Sequence, residues 1–347
     1  WLGTQTLVAT LGVIQLLLGL LWLQQGSGRV TKLTGVVMTG LLISGWQLFG
    51  QAPPVAGLVY QEDSPYQQVR VRDDDLFRYL VLDRTWHAVM WRSDPTALFL
   101  PYSQLMVAAV ALAPEPKRGL ILGHGGGSLA KWLAQVWPEL ELDVVEFDPV
   151  VVRMAEQYFD YRPPANHHVS VKDARVFLRD TKATYDVIWV DAFARHLIPF
   201  HLTTVEFFSE LRGRLNPNGV LALNLASSGE GGDLQRANAV VQTLKSSFPS
   251  IESVGVKGPW RAHETTAENL IFFGGGPIAT MSYDEIVKRI YMQVEARRLP
   301  LEAIALLASR RATPWPPGLT LTDDYTPYDL LIGSHAVEMS PEGNSSP

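Results

Sequence analysis

The order of elements around residue 120 constrains this chain more than any other feature. GLIL at 119–122 is a short apolar run of strand character. It leads directly into Gly123-His124-Gly125-Gly126-Gly127-Ser128. A helix near 128–137 follows, then a second apolar run, LDVVEF at 142–147. Glycines between a strand and a helix permit positive φ and let a ligand approach backbone N–H groups. Glu146 ends the second run about 20 residues later, where a carboxylate accepts both ribose hydroxyls in an open α/β fold. A structural glycine turn beside an unrelated surface acid would use the same residues. Only the full order of strand, turn, helix, strand and acid favours a nucleoside site.

The alternation continues downstream. PVVVRMAEQYF (149–159) reads as a helix, HVSV (168–171) as a third strand, ARVFLRD as a short helix and YDVIWVD (185–191) as a fourth strand. VEFFSELRGRL (205–215) is helical and meets a stop at Asn216-Pro217-Asn218-Gly219. VLALNL (220–225) is a fifth strand. Such alternation predicts a parallel sheet covered by helices. A helix around 232–247 precedes SIESVGV and NLIFFGG, which fit an antiparallel edge. Residues 282–298 read as an amphipathic helix. Asp173-Ala174-Arg175 follows the third strand, where S-adenosyl-type folds often hold adenine, and this favours an S-adenosyl ligand over a dinucleotide. Asp191 ends the fourth strand at the edge where ligands sit, although an ordinary cap residue would also fit there. His124 could touch a ligand or face solvent. His167, His168, His196 and His201 lack metal-ligand spacing, so no metal is expected.

Ahead of this region, residues 57–91 alternate as short strands separated by polar turns at Asp73-Asp74-Asp75 and Asp83-Arg84, which predicts a small antiparallel β unit. Residues 97–112 are apolar and read as helical. Gln51-Ala52-Pro53-Pro54 reads as a linker, because Pro-Pro cannot continue a helix.

Charge is distributed unevenly. Of the 347 residues only 18% are charged, with 29 Lys+Arg against 35 Asp+Glu. Within residues 1–50 the charged side chains are Arg29 and Lys32 alone. The net charge of −6 and the lack of long basic runs argue against nucleic acid as a partner. A hydrophobic content of 47% excludes disorder as the main state. With no cysteine, disulfides, Cys-bound metals and a Cys nucleophile are excluded.

Residues 6–23 and 33–49 are uncharged, and each approaches the length of a membrane-crossing helix. Trp22 and Trp46 lie near segment ends, and Gly35, Gly40 and Gly45 would permit close helix approach. A transmembrane helical hairpin over 1–50 is therefore expected, with membrane lipid as a partner. A signal peptide and a buried core hairpin are the competing readings. Arg29 and Lys32 would place the short loop inside, whereas supply of S-adenosyl compounds favours a cytoplasmic face for the large domain. We take the second argument, giving a multi-pass membrane protein with its soluble domain in the cytoplasm.

Several segments together resemble the spermidine synthase (polyamine aminopropyltransferase) family over about residues 60–275. They are Ser64-Pro-Tyr-Gln67-Gln-Val-Arg-Val71, Tyr79-Leu-Val-Leu-Asp83, the glycine turn, Val144-Val-Glu-Phe-Asp148, Asp173-Ala-Arg-Val-Phe-Leu178 and Tyr185-Asp-Val-Ile-Trp-Val-Asp191. The stretch from Asp191 to Thr204 and Leu321-Thr-Asp-Asp-Tyr-Thr-Pro327 are more similar to membrane-fused spermidine synthase-like proteins. The resemblance implies an S-adenosylmethionine-dependent-transferase-type Rossmann-like sheet behind a small antiparallel β unit. It implies decarboxylated S-adenosylmethionine, or S-adenosylmethionine itself, as co-substrate, and a small-molecule amine acceptor. It implies Gln67, Gly123, Gly125, Gly127, Glu146, Asp173 and Ala174 as nucleoside-binding residues and Asp191 as the acid beside the reacting amine. The expected divisions are 1–50, the hairpin; 51–104, linker and small β domain; 105–336, the nucleoside-binding transferase domain; and 337–347, a disordered tail.

The chain also departs from the family. Gly126 stands where the family has an Asp that holds the aminopropyl amine, and Ala194 where it has a second active-site Asp. His87 replaces a Gln, Arg84 replaces a turn Gly, and a Tyr-His-Glu stretch has no counterpart near 97–102. The nucleoside half is thus better kept than the amine half. Three functions remain open: aminopropyl transfer, methyl transfer from S-adenosylmethionine, and a catalytically degenerate membrane-tethered binding module. A homo-oligomer or a membrane-protein partner also stays open.

Overall fold

In a computed structural model of the chain, the described residues are Ile14, 56–192, 198–227, 234–258, 269–296, 298–307 and 314–327. Strands β1 (Leu58–Asp63), β2 (Gln68–Asp73), β3 (Phe77–Leu82) and β4 (Thr85–Trp91) pair antiparallel in chain order. Strict alternation fully buries Val69 and Val71 while leaving Arg70 and Arg72 partly exposed. The apolar stretch 97–112 breaks into two short helices, α1 (Pro101–Met106) and α2 (Ala108–Leu112), rather than one.

The second sheet has seven strands. In chain order its elements are β5 (Arg118–Leu122), α3 (Ser128–Val136), β6 (Glu141–Glu146), α4 (Pro149–Tyr158), β7 (His167–Val171), α5 (Ala174–Asp180) and β8 (Tyr185–Val190). A 3-10 turn (Phe200–Leu202), α6 (Val205–Arg214), β9 (Leu215–Ala226), α7 (Leu234–Lys245), β10 (Ile251–Val256) and β11 (Asn269–Gly275) complete it. α8 (Gly276–Thr280), α9 (Tyr283–Glu295) and α10 (Glu302–Leu307) follow. The strand order is β10-β11-β9-β8-β5-β6-β7. The five strands from β9 to β7 are parallel, and β11 runs antiparallel to both β9 and β10. The antiparallel edge expected from the two late apolar runs is therefore present. The Asn-Pro-Asn-Gly segment lies within β9 rather than ahead of it.

Helices cover both faces of this sheet, which is why its strands are continuous apolar runs rather than alternating ones. On one face Leu133, Trp137 and Leu112 join Ile121, Val144 and Trp189. On the other, Leu178, Phe207 and Leu244 join Leu120, Ile188 and Leu221. A third cluster seats the small sheet on α4, with Val69, Val71 and Leu80 against Val150, Met154 and Phe159. Truncating one such buried Leu or Met to Ala typically costs about 2–5 kcal/mol. Polar ties reinforce the seat. The Ser64 hydroxyl donates to Asp148 at 2.6 Å, and Arg153 on α4 pairs with Glu62 of β1 at 2.7 Å.

β5 is the switch point of the parallel sheet. The chain leaves it toward β6 on one side and returns through β8 on the other. Leu122 is in register with Val145 and with Val190. Gly123, Glu146 and Asp191 therefore leave the sheet at one edge, the position at which open α/β sheets bind ligands.

The membrane placement expected above requires correction. No helix among the described residues is long and apolar enough to cross a membrane. The longest of these, α9, has 13 residues and carries Asp284, Glu285, Lys288 and Arg289, whereas a crossing helix needs about 20 apolar residues. The segments 6–23 and 33–49, on which the transmembrane hairpin and the multi-pass localisation rested, lie outside the described residues except for Ile14. The tail 337–347 lies outside them as well.

Candidate active site

The carboxyl edge of β5, β6 and β8 opens into a cavity of about 300 Å³. The first turn shapes its floor. Gly123 has φ +97°, and a Cβ there would lie 2.2 Å from the Asp191 carbonyl oxygen, so only glycine fits. Its N–H donates to the Val145 carbonyl at 2.8 Å. At Gly125 the nearest atom to such a Cβ would be 3.9 Å away, which leaves the backbone open to an incoming group. Gly127 ends the turn as the left-handed cap of α3.

Gln67, Gly123, Gly125, Glu146, Asp173, Ala174 and Asp191 line this one cavity. Gly127 does not; its Cβ direction meets His124 and Tyr161, so it turns the chain rather than facing the cavity. The His124 ring is buried rather than solvent-facing, and the residue borders the cavity. It packs edge-on to Tyr161 at 4.6 Å, and burial lowers its pKa to about 3, which keeps it neutral.

Glu146 is buried. Its carboxylate accepts the backbone N–H of His124 at 3.0 Å and of Asp148 at 3.1 Å. Burial pushes its pKa up, partly offset by these donors. Asp148 is fully buried and performs three jobs. It caps α4 through the Val150 N–H at 2.9 Å, accepts the Ser64 hydroxyl, and accepts Gln67 Nε2 at 3.2 Å. Gln67 is thereby held at the cavity wall by an acid that lies outside it.

Asp173 caps α5, accepting the N–H of Arg175 at 2.9 Å and of Val176 at 3.0 Å on one oxygen. Its other oxygen lies 3.0 Å from His201 Nε2. That contact, more than the backbone donors, holds the Asp173 carboxyl below its ordinary range.

Asp191 is the acid nearest the sheet centre. Withdrawal from water raises its pKa from 3.8 to about 6, against the pull of hydrogen bonds from Asn224 and Tyr102. Asn224 Nδ2 donates to it at 2.8 Å, and Asn269 Nδ2 in turn donates to Asn224 Oδ1 at 3.0 Å. Such a carboxyl is mostly ionised at neutral pH, yet basic enough to take a proton. Phe99, Leu100, Leu82 and Val89 form an apolar wall of the same cavity.

Gly126 also lines the cavity, but a Cβ there would lie 2.8 Å from Ala88 Cβ and 3.0 Å from the Phe159 ring. The packing leaves no room for an acid at this position. Residues 193–197, which include Ala194, lie outside the described residues.

Sequence reasoning missed Tyr102, Asn224, Asp148 and His201. Tyr102 comes from the 97–102 stretch, in which sequence reading finds no counterpart of the family's Tyr-His-Glu. It lines the cavity and donates to Asp191. A usable signal existed for Asn224, a lone amide late in an apolar strand that ends at the ligand edge. None existed for Tyr102, which sits in an unpatterned apolar run.

The Spermine/spermidine synthase domain family matches residues 100–253. A polyamine aminopropyltransferase of Vibrio vulnificus is 35% identical over 179 residues, covering 49% of this chain and 60% of the relative. An N-terminal histidine N-methyltransferase of Emericella nidulans is 31% identical over 218 residues, covering 56% of this chain and 38% of the relative. The chain thus spans less than two thirds of the length of either relative. Among solved structures, a probable spermidine synthase from Corynebacterium glutamicum superposes with a TM-score of 0.56 at 23% identity, covering 68% of this chain and 87% of that one. This likeness establishes the shared fold.

Proposed function

We propose that the chain, whose residues 100–253 match the Spermine/spermidine synthase domain family, transfers an aminopropyl group from decarboxylated S-adenosylmethionine to a small amine. The observation that carries the reading is the convergence of Gln67, Glu146, Asp173 and Asp191 on one cavity at the switch point of the sheet.

The residues present suit an S-adenosyl nucleoside. Glu146 provides a buried carboxylate for ribose hydroxyls, Gly125 an open backbone approach, and Ala174 a small neighbour for a flat ring. When bound, the co-substrate supplies a carbon activated by its sulfonium. The acceptor nitrogen forms its bond to that carbon while the carbon–sulfur bond breaks, and the electron pair passes to sulfur. Asp191 accepts the proton that the nitrogen gives up. Tyr102 and Asn224 hold the Asp191 carboxylate toward the reacting nitrogen, which contributes orientation. The apolar wall of Phe99, Leu100 and Leu82 keeps water from the reacting centre.

Methyl transfer from S-adenosylmethionine is the second reading. It is favoured by Gly126, because no acid at that turn would oppose a methionine carboxylate. Similarity to a histidine N-methyltransferase points the same way. Product analysis separates the two. Purified protein is supplied with each nucleoside and a panel of amines. Aminopropyl transfer yields 5′-methylthioadenosine, and methyl transfer yields S-adenosylhomocysteine. Failure of decarboxylated S-adenosylmethionine to bind or turn over with any amine rejects the first reading. Binding of either nucleoside without turnover would indicate a degenerate binding module.

A further inference from the structure

The segment Leu321-Thr-Asp-Asp-Tyr-Thr-Pro327 contributes no residue to the cavity lining, yet it is anchored to the cavity wall. Leu321 is fully buried; its N–H donates to the Thr243 hydroxyl at 2.8 Å, and its carbonyl accepts the Val205 N–H at 2.9 Å. Asp323 follows. Its two carboxylate oxygens take Nη1 and Nη2 of Arg175 at 2.7 Å each, a bidentate pair. The Thr204 hydroxyl donates to the same carboxylate at 2.8 Å, and the Asp323 N–H donates to Glu206 at 3.0 Å.

Arg175 is buried, and it sits two residues past Asp173. From its far side it pairs with Glu210, and Nη1 also donates to the His201 carbonyl at 3.2 Å. His201 in turn contacts Asp173 through Nε2 at 3.0 Å. Asp173, Ala174 and His201 all face the cavity. A continuous series of charge-assisted contacts therefore runs from Asp323 through Arg175 and His201 to Asp173.

We propose that Asp323 is a positioning residue for the nucleoside half of the site, fixing Arg175 and through it the His201–Asp173 pair. The ligand-binding part of this inference rests on the function proposed above. The positioning part does not, since it concerns contacts that exist without ligand. Glu210 alone cannot replace Asp323, because it approaches the guanidinium from Nε and leaves Nη1 without its carboxylate.

The test uses the full chain and three variants: Asp323→Asn, Asp323→Glu and the neighbouring Asp324→Asn. The first readout is the His201 ring resonances in the ligand-free protein. The second is calorimetric affinity for 5′-methylthioadenosine. We expect Asp323→Asn to move the His201 resonances and weaken the nucleoside roughly tenfold at a temperature where the variant is still folded, with a melting temperature lowered by the loss of the bidentate partner of buried Arg175. Asp323→Glu restores most of both, and Asp324→Asn matches wild type. Unmoved His201 resonances in Asp323→Asn overturn the proposal whether or not a nucleoside binds. Affinity that falls only as the variant unfolds also overturns it. A wild-type protein that binds no S-adenosyl nucleoside rejects the proposed function instead, and the resonances still decide the positioning role.

Discussion

Asn224 donates its side-chain N–H to Asp191 Oδ1 at 2.8 Å, bridging the ends of neighbouring strands β9 and β8. This bond favours the ionised form of a carboxyl that burial otherwise pushes toward protonation. Asn224→Leu should therefore raise the Asp191 pKa further above about 6, by on the order of one pH unit. The acid limb of the pH–rate profile should move upward accordingly. An unmoved limb would separate Asp191 from the rate-determining proton transfer.

Asp191 also links activity to stability. A carboxyl whose folded pKa lies above its unfolded value stabilises the fold fully below about pH 4 and loses that contribution as pH rises through about 6. Asp191→Asn should abolish transfer while gaining on the order of 2–3 kcal/mol over wild type above pH 7, with no gain at pH 4. Urea midpoints measured from pH 4 to 8 give the comparison directly.

At Gly126 the expected effect is steric. Gly126→Ala would place a methyl 2.8 Å from Ala88 Cβ and should cost roughly 1–3 kcal/mol by overpacking. Ala88→Gly in the same chain should recover much of the loss. Chemical denaturation of the two single variants and the double variant yields the coupling, and additive losses would contradict the contact.

Asp148→Ala removes one carboxylate with three partners. It should destabilise by about 1–3 kcal/mol, because the α4 cap is lost, the Gln67 amide loses its acceptor and the Ser64 hydroxyl keeps only the Gln67 carbonyl. Nucleoside affinity should fall too, as Gln67 is no longer fixed at the wall. Ser64→Ala should show the smaller stability loss and largely normal affinity.

The parallel sheet was legible because its order is written locally, in apolar runs punctuated by Gly123, Glu146, Asp173 and Asp191. Each of these lies where a strand meets a turn, so one-dimensional spacing carries three-dimensional meaning. Tyr102 and His201 were not legible, because they reach the cavity from segments with no periodic signature and meet Asp191 and Asp173 only after long-range packing. At Gly126 the crowding was hidden from the sequence, since it comes from Ala88 in a different sheet and from Phe159. The two-helix break at Val107 escaped notice because an all-apolar run has no face from which to read a phase.

The seat of the four-stranded sheet on α4 bears on how the chain can be divided. The family match begins at residue 100, beyond the last strand of that sheet. Yet Gln67, Leu82, His87, Ala88 and Val89 come from the strands and turns before that point, and all border the cavity. A piece cut at residue 100 would keep the nucleoside floor, but with one side of the mould gone and the apolar flank of Val150, Met154 and Phe159 bared to water. The small sheet is thus a detachable-looking part that the cavity needs in order to keep its wall.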